Sequence, residues 1–258
     1  MKKYQLRKMI QIVFIGIWIL LILYIIPEIT GTCHQFCSYA AVCFGAMSFR
    51  GYAAYLPIVI IGLLIAVSTL FWGRIFCGYV CFLGSLQEYL YGLNKSKQKF
   101  SQRIPYKIHR FLKLIKYLVF VFTLATAYFA VQYIYMKYCP VVAISHLTQI
   151  GVAAVIVLAV IIAGGILAER FWCRYLCPYA ALMNIFQYLG RLLKIKRKKI
   201  FRNIKTSINC FNCANYCPMN IDIGYNEEVS DVNCIQCHRC VRICSKKEAD
   251  KSKCIYRD

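Results

Sequence analysis

Sixteen cysteines stand in a chain of 258 residues, and eleven of them fall into spacings suited to metal–thiolate chemistry. Near the C-terminus the chain reads SINCFNCANYCPMNIDI (Ser207–Ile223), then NCIQCHRCVRICS (Asn233–Ser245). The second stretch gives Cys234-x2-Cys237-x2-Cys240-x3-Cys244. In bacterial ferredoxins this spacing puts three thiolates on one [4Fe–4S] cubane and sends the fourth to a partner cluster. The first stretch, Cys210-x2-Cys213-x3-Cys217-Pro218, supplies the last three positions of the same pattern. Cys217 is therefore expected on one cluster with Cys234, Cys237 and Cys240, and Cys244 on a second with Cys210 and Cys213. Ser207 stands where the remaining cysteine would be. An alkoxide from Ser207, Cys254 folding back to the open corner, and a [3Fe–4S] or labile site all stay open. Cys254 or an incomplete site is favoured. Zinc on paired C-x2-C is the competing chemistry. Two interleaved motifs with x2, x2 and x3 spacing favour iron–sulfur. His238, inside the second motif, reads as a residue that tunes or shields the cluster.

Four more cysteines form a repeat. Gly73-Arg-Ile-Phe-Cys77-Gly-Tyr-Val-Cys81-Phe-Leu-Gly aligns with Glu169-Arg-Phe-Trp-Cys173-Arg-Tyr-Leu-Cys177-Pro-Tyr-Ala. Each copy has an arginine (Arg74, Arg170), aromatic residues and C-x3-C. On a continuous helix, i and i+4 share a face, so each pair is expected to point one way. A two-fold arrangement would then bring Cys77, Cys81, Cys173 and Cys177 together. Four thiols at one point can hold an iron–sulfur cluster or zinc. The plainer reading is that they are small buried apolar residues. Arg74 and Arg170 could stabilise an anionic cluster or a quinone headgroup; the plainer reading for them is snorkelling at a membrane border.

The elements that must carry these residues follow from composition. The chain is 60% hydrophobic and 16% charged, with a net charge of +22. A soluble domain has about 25% charged residues, so an ordinary cytosolic enzyme is excluded. Disorder, which needs low hydrophobicity, is excluded too. Four apolar stretches approach the ~20 residues a span requires, at about 9–27, 53–72, 115–135 and 151–168. Thirty of the 32 Lys and Arg residues lie in the N-terminus, the loop between the second and third spans, and the tail. The positive-inside rule then places both termini in the cytoplasm. The first apolar run is too long for a signal-peptide core and no small-x-small site follows it, so it is expected to stay. The fold class is an α-helical membrane protein with four spans built as a duplicated two-helix unit. A small α+β two-cluster ferredoxin-like domain completes it.

Residues 1–190 are expected to form the membrane domain, 191–205 a basic linker, and 206–258 the cytoplasmic cluster domain. The basic run Arg191–Lys199 suits anionic lipid, not nucleic acid. Disulfides in the tail are disfavoured by its reducing compartment. On the outer side, Cys33, Cys37, Cys43 and Cys139 could be disulfides or a second redox or metal site. His34, Met47 and His146 lie near them and read as structural.

GRIFCGYVCFLGSLQE, ERFWCRYLCPYAALMN and the tail motifs together resemble the NapH/MauN-type membrane-bound polyferredoxins. They are also similar to the membrane portions of NosR-type and CcoG-type proteins. The likeness runs from about Phe71 to Cys244. It implies two [4Fe–4S] clusters on Cys210, Cys213, Cys217, Cys234, Cys237, Cys240 and Cys244. It also implies electron transfer between the quinone pool and a redox partner protein, in the cell membrane of a prokaryote. Phe82 and Ser245 replace prolines common in the family, and Ser207 replaces a cluster cysteine. No Ser/His/Asp arrangement and no phosphate-cradling loop is present, so a relay subunit is expected ahead of a stand-alone enzyme. Copper reduction at the outer or membrane cysteines, and oxidant sensing through an incomplete cluster, are the alternatives.

Overall fold

The computed structural model describes residues 2–20, 42, 56–93, 106–129, 152–197, 199–202, 212–221, 223, 228–247 and 256–257. Cys33, Cys37, Cys43, Cys139, Ser207, Cys210 and Cys254 lie outside them. So do residues 21–27 of the first expected span and 130–135 of the third.

Each half of the membrane part contains the same series of helices. The first half has α1 (Lys2–Leu20), α2 (Leu56–Trp72), α3 (Ile75–Tyr79) and α4 (Phe82–Leu93). The second has α5 (Tyr106–Tyr128), α6 (Val152–Leu167), α7 (Phe171–Tyr175) and α8 (Pro178–Leu192). Helices α2 and α6 are Ile-, Leu- and Val-rich on every face, with no charge. Such a sequence suits burial in a large core or a bilayer. Among the described residues, Ile108–Tyr128 is the one helix long and apolar enough to cross a membrane. The apolar parts of α2 and α6, Val59–Trp72 and Val155–Leu167, are shorter. Large apolar side chains stand exposed on α1, α2, α5 and α6, among them Ile12, Ile61, Leu118 and Ile156.

The long and short helices are separated by left-handed backbone. Gly73 takes it at φ +64° in the first half, and Arg170 at φ 56° in the second. Few side chains tolerate this conformation, so its occupation by an arginine marks a position fixed by its surroundings. Helices α4 and α8 are amphipathic. They bury Leu83, Ser85, Gln87 and Glu88 on one, and Tyr179, Ala180, Met183 and Asn184 on the other.

The halves pack by exchange. Helix α4 lies on α6 of the other half, and α8 on α2. Meanwhile α1 packs on α3 and α4 of its own half, as α5 packs on α7 and α8. Tyr179 on α8 donates a hydrogen bond to the Gly62 carbonyl of α2 at 2.8 Å.

The tail is held to the corners between these helices. Strand β1 (Ile200–Arg202) lies between β2 (Glu228–Val229) and β3 (Tyr256–Arg257), antiparallel to both. Thus the stretch read as a linker carries the central strand. Its Ile200 is buried, joining Met219, Ile221, Ile223, Val229 and Ile235 in a small apolar core. Helix α9 (Asn212–Asn215) packs on α10 (Arg239–Lys247).

Candidate iron–sulfur and thiol sites

In the tail, Cys217, Cys234, Cys237 and Cys240 line one small cavity. The rest of its wall is mostly apolar: Ile200, Met219, Ile221, Ile223, Val229 and Ile235. The loop that brings three of the cysteines together is tightly wound. Gln236 and His238 both adopt left-handed backbone, at φ 49° and 53°, and Asn220 does so after Cys217 at φ 49°. This winding turns backbone N–H groups toward sulfur. Met219 and Ile221 donate to Cys217, Gln236 to Cys234, and Val241 to Cys240. Burial pushes the Cys217 thiol up to about 11 and Cys234 up to about 12, and raises Cys240 well above the ordinary thiol range; the neighbouring thiols add to it. Four buried sulfurs that repel one another as thiolates, each of three met by N–H dipoles, are a donor set that fits an iron–sulfur cluster. Among the described residues no three Cys, His, Asp or Glu side chains close on a single ion; a cubane instead spreads its thiolates around four irons. His238 lines the cavity wall.

For the second expected cluster, Cys213 is buried on α9, and the backbone of Cys244 lies in α10, against which α9 packs. Cys210, Ser207 and Cys254, which would decide its fourth corner, fall outside the described residues.

The C-x3-C pairs have a different local geometry from the one expected. Each is a helix corner, not one continuous helix face. Cys77 sits in α3, and the N–H groups of Val80 and Cys81 both donate to the Phe76 carbonyl, ending that helix. Cys81 then precedes α4. Cys173 and Cys177 repeat this: Leu176 and Cys177 both donate to the Trp172 carbonyl, and Cys177 is the N-cap of α8. Its Sγ accepts from the Ala180 N–H at 3.2 Å, and Cys81 accepts likewise from Gly84. The Pro178 ring explains the break in the second half, since it removes an N–H and suits the first helical position. Phe82 makes the same corner without proline. A helix N-terminus favours negative charge, so each pair offers one sulfur at such an end.

The corners meet across the interface between halves. Cys81 and Cys173 are hydrogen-bond neighbours. The Cys77 Sγ lies 3.5 Å from the Met183 Sδ and 4.0 Å from Arg74 Nη2. Arg74 also acts on Cys177 and Cys173. Arg74 and Arg170 are wholly buried, which sets the snorkelling reading aside. Arg170 Nη1 donates to the Cys77 carbonyl at 2.5 Å, and its Nη2 pairs with Glu88 at 2.7 Å. Among the described residues no carboxylate pairs with Arg74; it bonds Asn184 Oδ1 at 3.2 Å and Asn233 Oδ1 at 3.5 Å.

The tail sits directly on these corners. The Ile235 carbonyl approaches Gly78 so closely that a Cβ there would lie 2.5 Å from it. Arg174, at the matching place in the second corner, donates from Nε to the Pro218 carbonyl at 2.8 Å. Arg7 of α1 joins both sides, donating to the Gly78 carbonyl at 3.0 Å and the Cys237 carbonyl at 3.5 Å. Gln11 also donates to Gly78, at 3.0 Å.

Sequence reasoning missed Arg7, Gln11, Glu88, Arg174, Asn184, Asn233 and Arg239. Arg7 is wholly buried, although as an N-terminal cation it reads as a topology marker. Glu88 and Asn184 had a signal: continuing the repeat alignment past Cys81 and Cys177 pairs them.

Comparison with known proteins agrees with this duplication. The family described as a 4Fe-4S binding domain matches twice, at residues 54–101 and 150–199, one match around each C-x3-C corner. An uncharacterized protein of Methanocaldococcus jannaschii is 31% identical over 70% of this chain and 73% of its own. YccM of Escherichia coli, provisionally named as an electron transport protein, is 30% identical over 69% of this chain and 50% of its own. The ferredoxin-type protein NapH of Haemophilus influenzae is 27% identical over 76% of this chain and 69% of its own. This chain thus spans half the length of YccM. No solved structure matches it. With the doubled cysteine corners, the thiol-lined cavity and these relatives, the chain belongs to the NapH/NosR-type family of membrane ferredoxins, a family of iron–sulfur electron-transport proteins.

Proposed function

We propose that this protein is a four-span relay that moves electrons between the membrane quinone pool and a redox partner protein at the cytoplasmic face. The observation that carries the reading is the tail cavity: four cysteines around one apolar space, seated against the C-x3-C corners. Clusters bound there would accept and release single electrons. The protein's part is to bury them, supply N–H dipoles and fix their distance from the corners. Cys217, Cys234, Cys237 and Cys240 hold one [4Fe–4S] cluster. Cys210, Cys213 and Cys244 hold the other, with Ser207, Cys254 or no protein ligand at its last corner.

Four spans are supported by the exposed apolar side chains of α1, α2, α5 and α6 and by the charge asymmetry between loops. A bilayer would cover those side chains and take the place of water on them. The basic run after α8 then meets anionic lipid headgroups. The quinone is part of this proposal, on the resemblance of the motifs alone.

A second reading is favoured by the geometry of Cys77, Cys81, Cys173 and Cys177. Cys77, Cys173 and Cys177 act electrostatically on the buried Arg74, Cys81 neighbours Cys173 and the Met183 sulfur lies beside Cys77, while among the described residues no three such side chains close on a single ion. A thiolate-bound metal or further cluster there would provide the anion that Arg74 lacks. Soft thiolate and thioether donors suit iron–sulfur, zinc or Cu(I).

Anaerobic purification in mild detergent, with iron, sulfide, zinc and copper counted per chain, tests both. About eight irons with equal sulfide means two tail clusters, and about seven with an oxidised-state EPR signal means a [3Fe–4S] site. More than eight, or one copper lost in Cys77→Ser, places a centre at the corners. Zinc without sulfide ends the electron-transfer reading.

A further inference from the structure

The two halves share their helices, corners and buried arginines, and across the aligned corners they differ in charge at three equivalent positions, Gly73 against Glu169, Gly78 against Arg174 and Glu88 against Asn184, the last of these on the amphipathic helices. Past Cys81 stands Glu88; at the same distance past Cys177 stands Asn184. Both are buried, at 4% and 2% exposure, and both receive the arginine of the opposite half. Arg170 pairs with Glu88 at 2.7 Å, and Arg74 bonds Asn184 at 3.2 Å.

Their surroundings reach the same tail loop from two sides. Glu88 also pairs with Arg7, with Lys8 at 2.9 Å and with Arg239 at 3.2 Å. Arg239 precedes Cys240, and Arg7 reaches the Cys237 carbonyl. Burial alone would raise the Glu88 carboxyl, but Arg170, Arg7, Arg239 and Lys8 together hold it well below the usual carboxylate range. Asn184 instead donates to Asn233 Oδ1 at 3.0 Å, where Lys116 also donates at 2.6 Å. Asn233 precedes Cys234. On this side the buried Arg74 guanidinium and the Lys116 amine meet amide oxygens, and Asn233 in turn donates to the Asp231 carboxylate.

We propose that Glu88 and Asn184 are a matched pair of positioning residues that set the reduction potential of the centre held by Cys217, Cys234, Cys237 and Cys240. The carboxylate offsets the guanidinium charge behind Cys237 and Cys240. The amide leaves the guanidinium charge of Arg74 without a carboxylate partner behind Cys234. Reduction adds one electron to the cluster and neither makes nor breaks a bond in the protein. A buried cation favours that added charge and a buried carboxylate opposes it, with little screening at this depth. The inference rests on the iron–sulfur reading given above.

Two near-isosteric exchanges test it: Glu88→Gln and Asn184→Asp, alone and combined. The readout is the midpoint potential of the tail cluster, from EPR-monitored titration with dithionite, alongside iron and sulfide per chain. Glu88→Gln should shift the potential upward, Asn184→Asp downward, and the double variant should return toward the parent. A residue with only a structural role would change iron content or melting while the loaded fraction kept the parent potential. That result in Asn184→Asp, or a shift upward, overturns the proposal. If Glu88→Gln fails to retain iron, Asn184→Asp decides alone, because it gives Arg74 a carboxylate partner. A parent protein without iron and sulfide would overturn the iron–sulfur reading itself, which the metal count separates from failure of the charge pair.

Discussion

Gly78→Ala is the sharpest probe of how the tail meets the membrane part. The new Cβ would lie 2.5 Å from the Ile235 carbonyl oxygen, with the carbonyl carbon at 3.6 Å and Ile235 Cβ at 3.7 Å. Ordinary contact begins at 3.4 Å, so a gap of about 0.9 Å must open between two backbones. No rotamer can absorb it. Helix α3 is tied by Arg7 and Gln11 to the Gly78 carbonyl, and the opposing loop is wound by Gln236 at positive φ. Overpacking of this kind costs about 1–3 kcal/mol, and with backbone on both sides we expect the upper part, about 2–3 kcal/mol. At about 2–4 °C per kcal/mol for a protein of this size class, the melting midpoint should fall by about 4–12 °C. The assay is thermal unfolding of the anaerobic, detergent-solubilised protein at fixed scan rate, followed by near-UV circular dichroism and by iron release. Gly16→Ala is the control. Nothing lies within 4 Å of its Cβ, and alanine in a helix interior is favoured over glycine by roughly 0.5–1 kcal/mol. A Gly78→Ala protein that melts with the parent and keeps its iron would refute the close seating of the Cys234–Cys237 loop on the first corner.

Other outcomes follow from the same contacts. Cys234→Ala should lower bound iron by about four atoms per chain, one cubane's worth, in an anaerobic metal count; unchanged iron would remove Cys234 from the ligand set. Arg170→Ala strands Glu88 among fewer cations and should cost about 3–5 kcal/mol, as for other broken buried pairs, measurable as lost expression or a lowered midpoint. Tyr179→Phe removes the bond to Gly62 between the exchanged helices and should cost about 0.5–1.5 kcal/mol. Lys199→Ala, whose partner Glu228 is about as exposed as itself at 35%, should change stability by less than about 1 kcal/mol.

The cysteine spacing makes part of the tail legible. Cys217 was expected beside Cys234, Cys237 and Cys240, and these four line one cavity. The reason is that such motifs encode geometry locally, through tight turns and fixed offsets. The C-x3-C repeat was legible as a duplication but not as a corner. Nothing in Val80-Cys81-Phe82 marks a helix break, and only Pro178 in the second copy hints at one. The polar network was least legible. Arg7, Lys116 and Glu88 are charged residues at the ends of apolar runs, where composition suggests topology signals and solvent. Their burial depends on partners more than seventy positions away, as with Arg7 and Glu88. A single sequence carries no trace of that pairing except through the internal repeat.

The exchange of helices between halves bears on how such a chain can arise and be cut. Because α4 leans on α6, and α8 on α2, a half expressed alone would leave the apolar face of its amphipathic helix uncovered. It would satisfy that face only by pairing with a second half through a self-complementary, two-fold contact. In such a pairing each buried arginine would reach into its twin, as Arg74 and Arg170 reach into the opposite half here. In one chain the two copies can differ, and the carboxylate at 88 opposite the amide at 184 is a difference no symmetric dimer could hold.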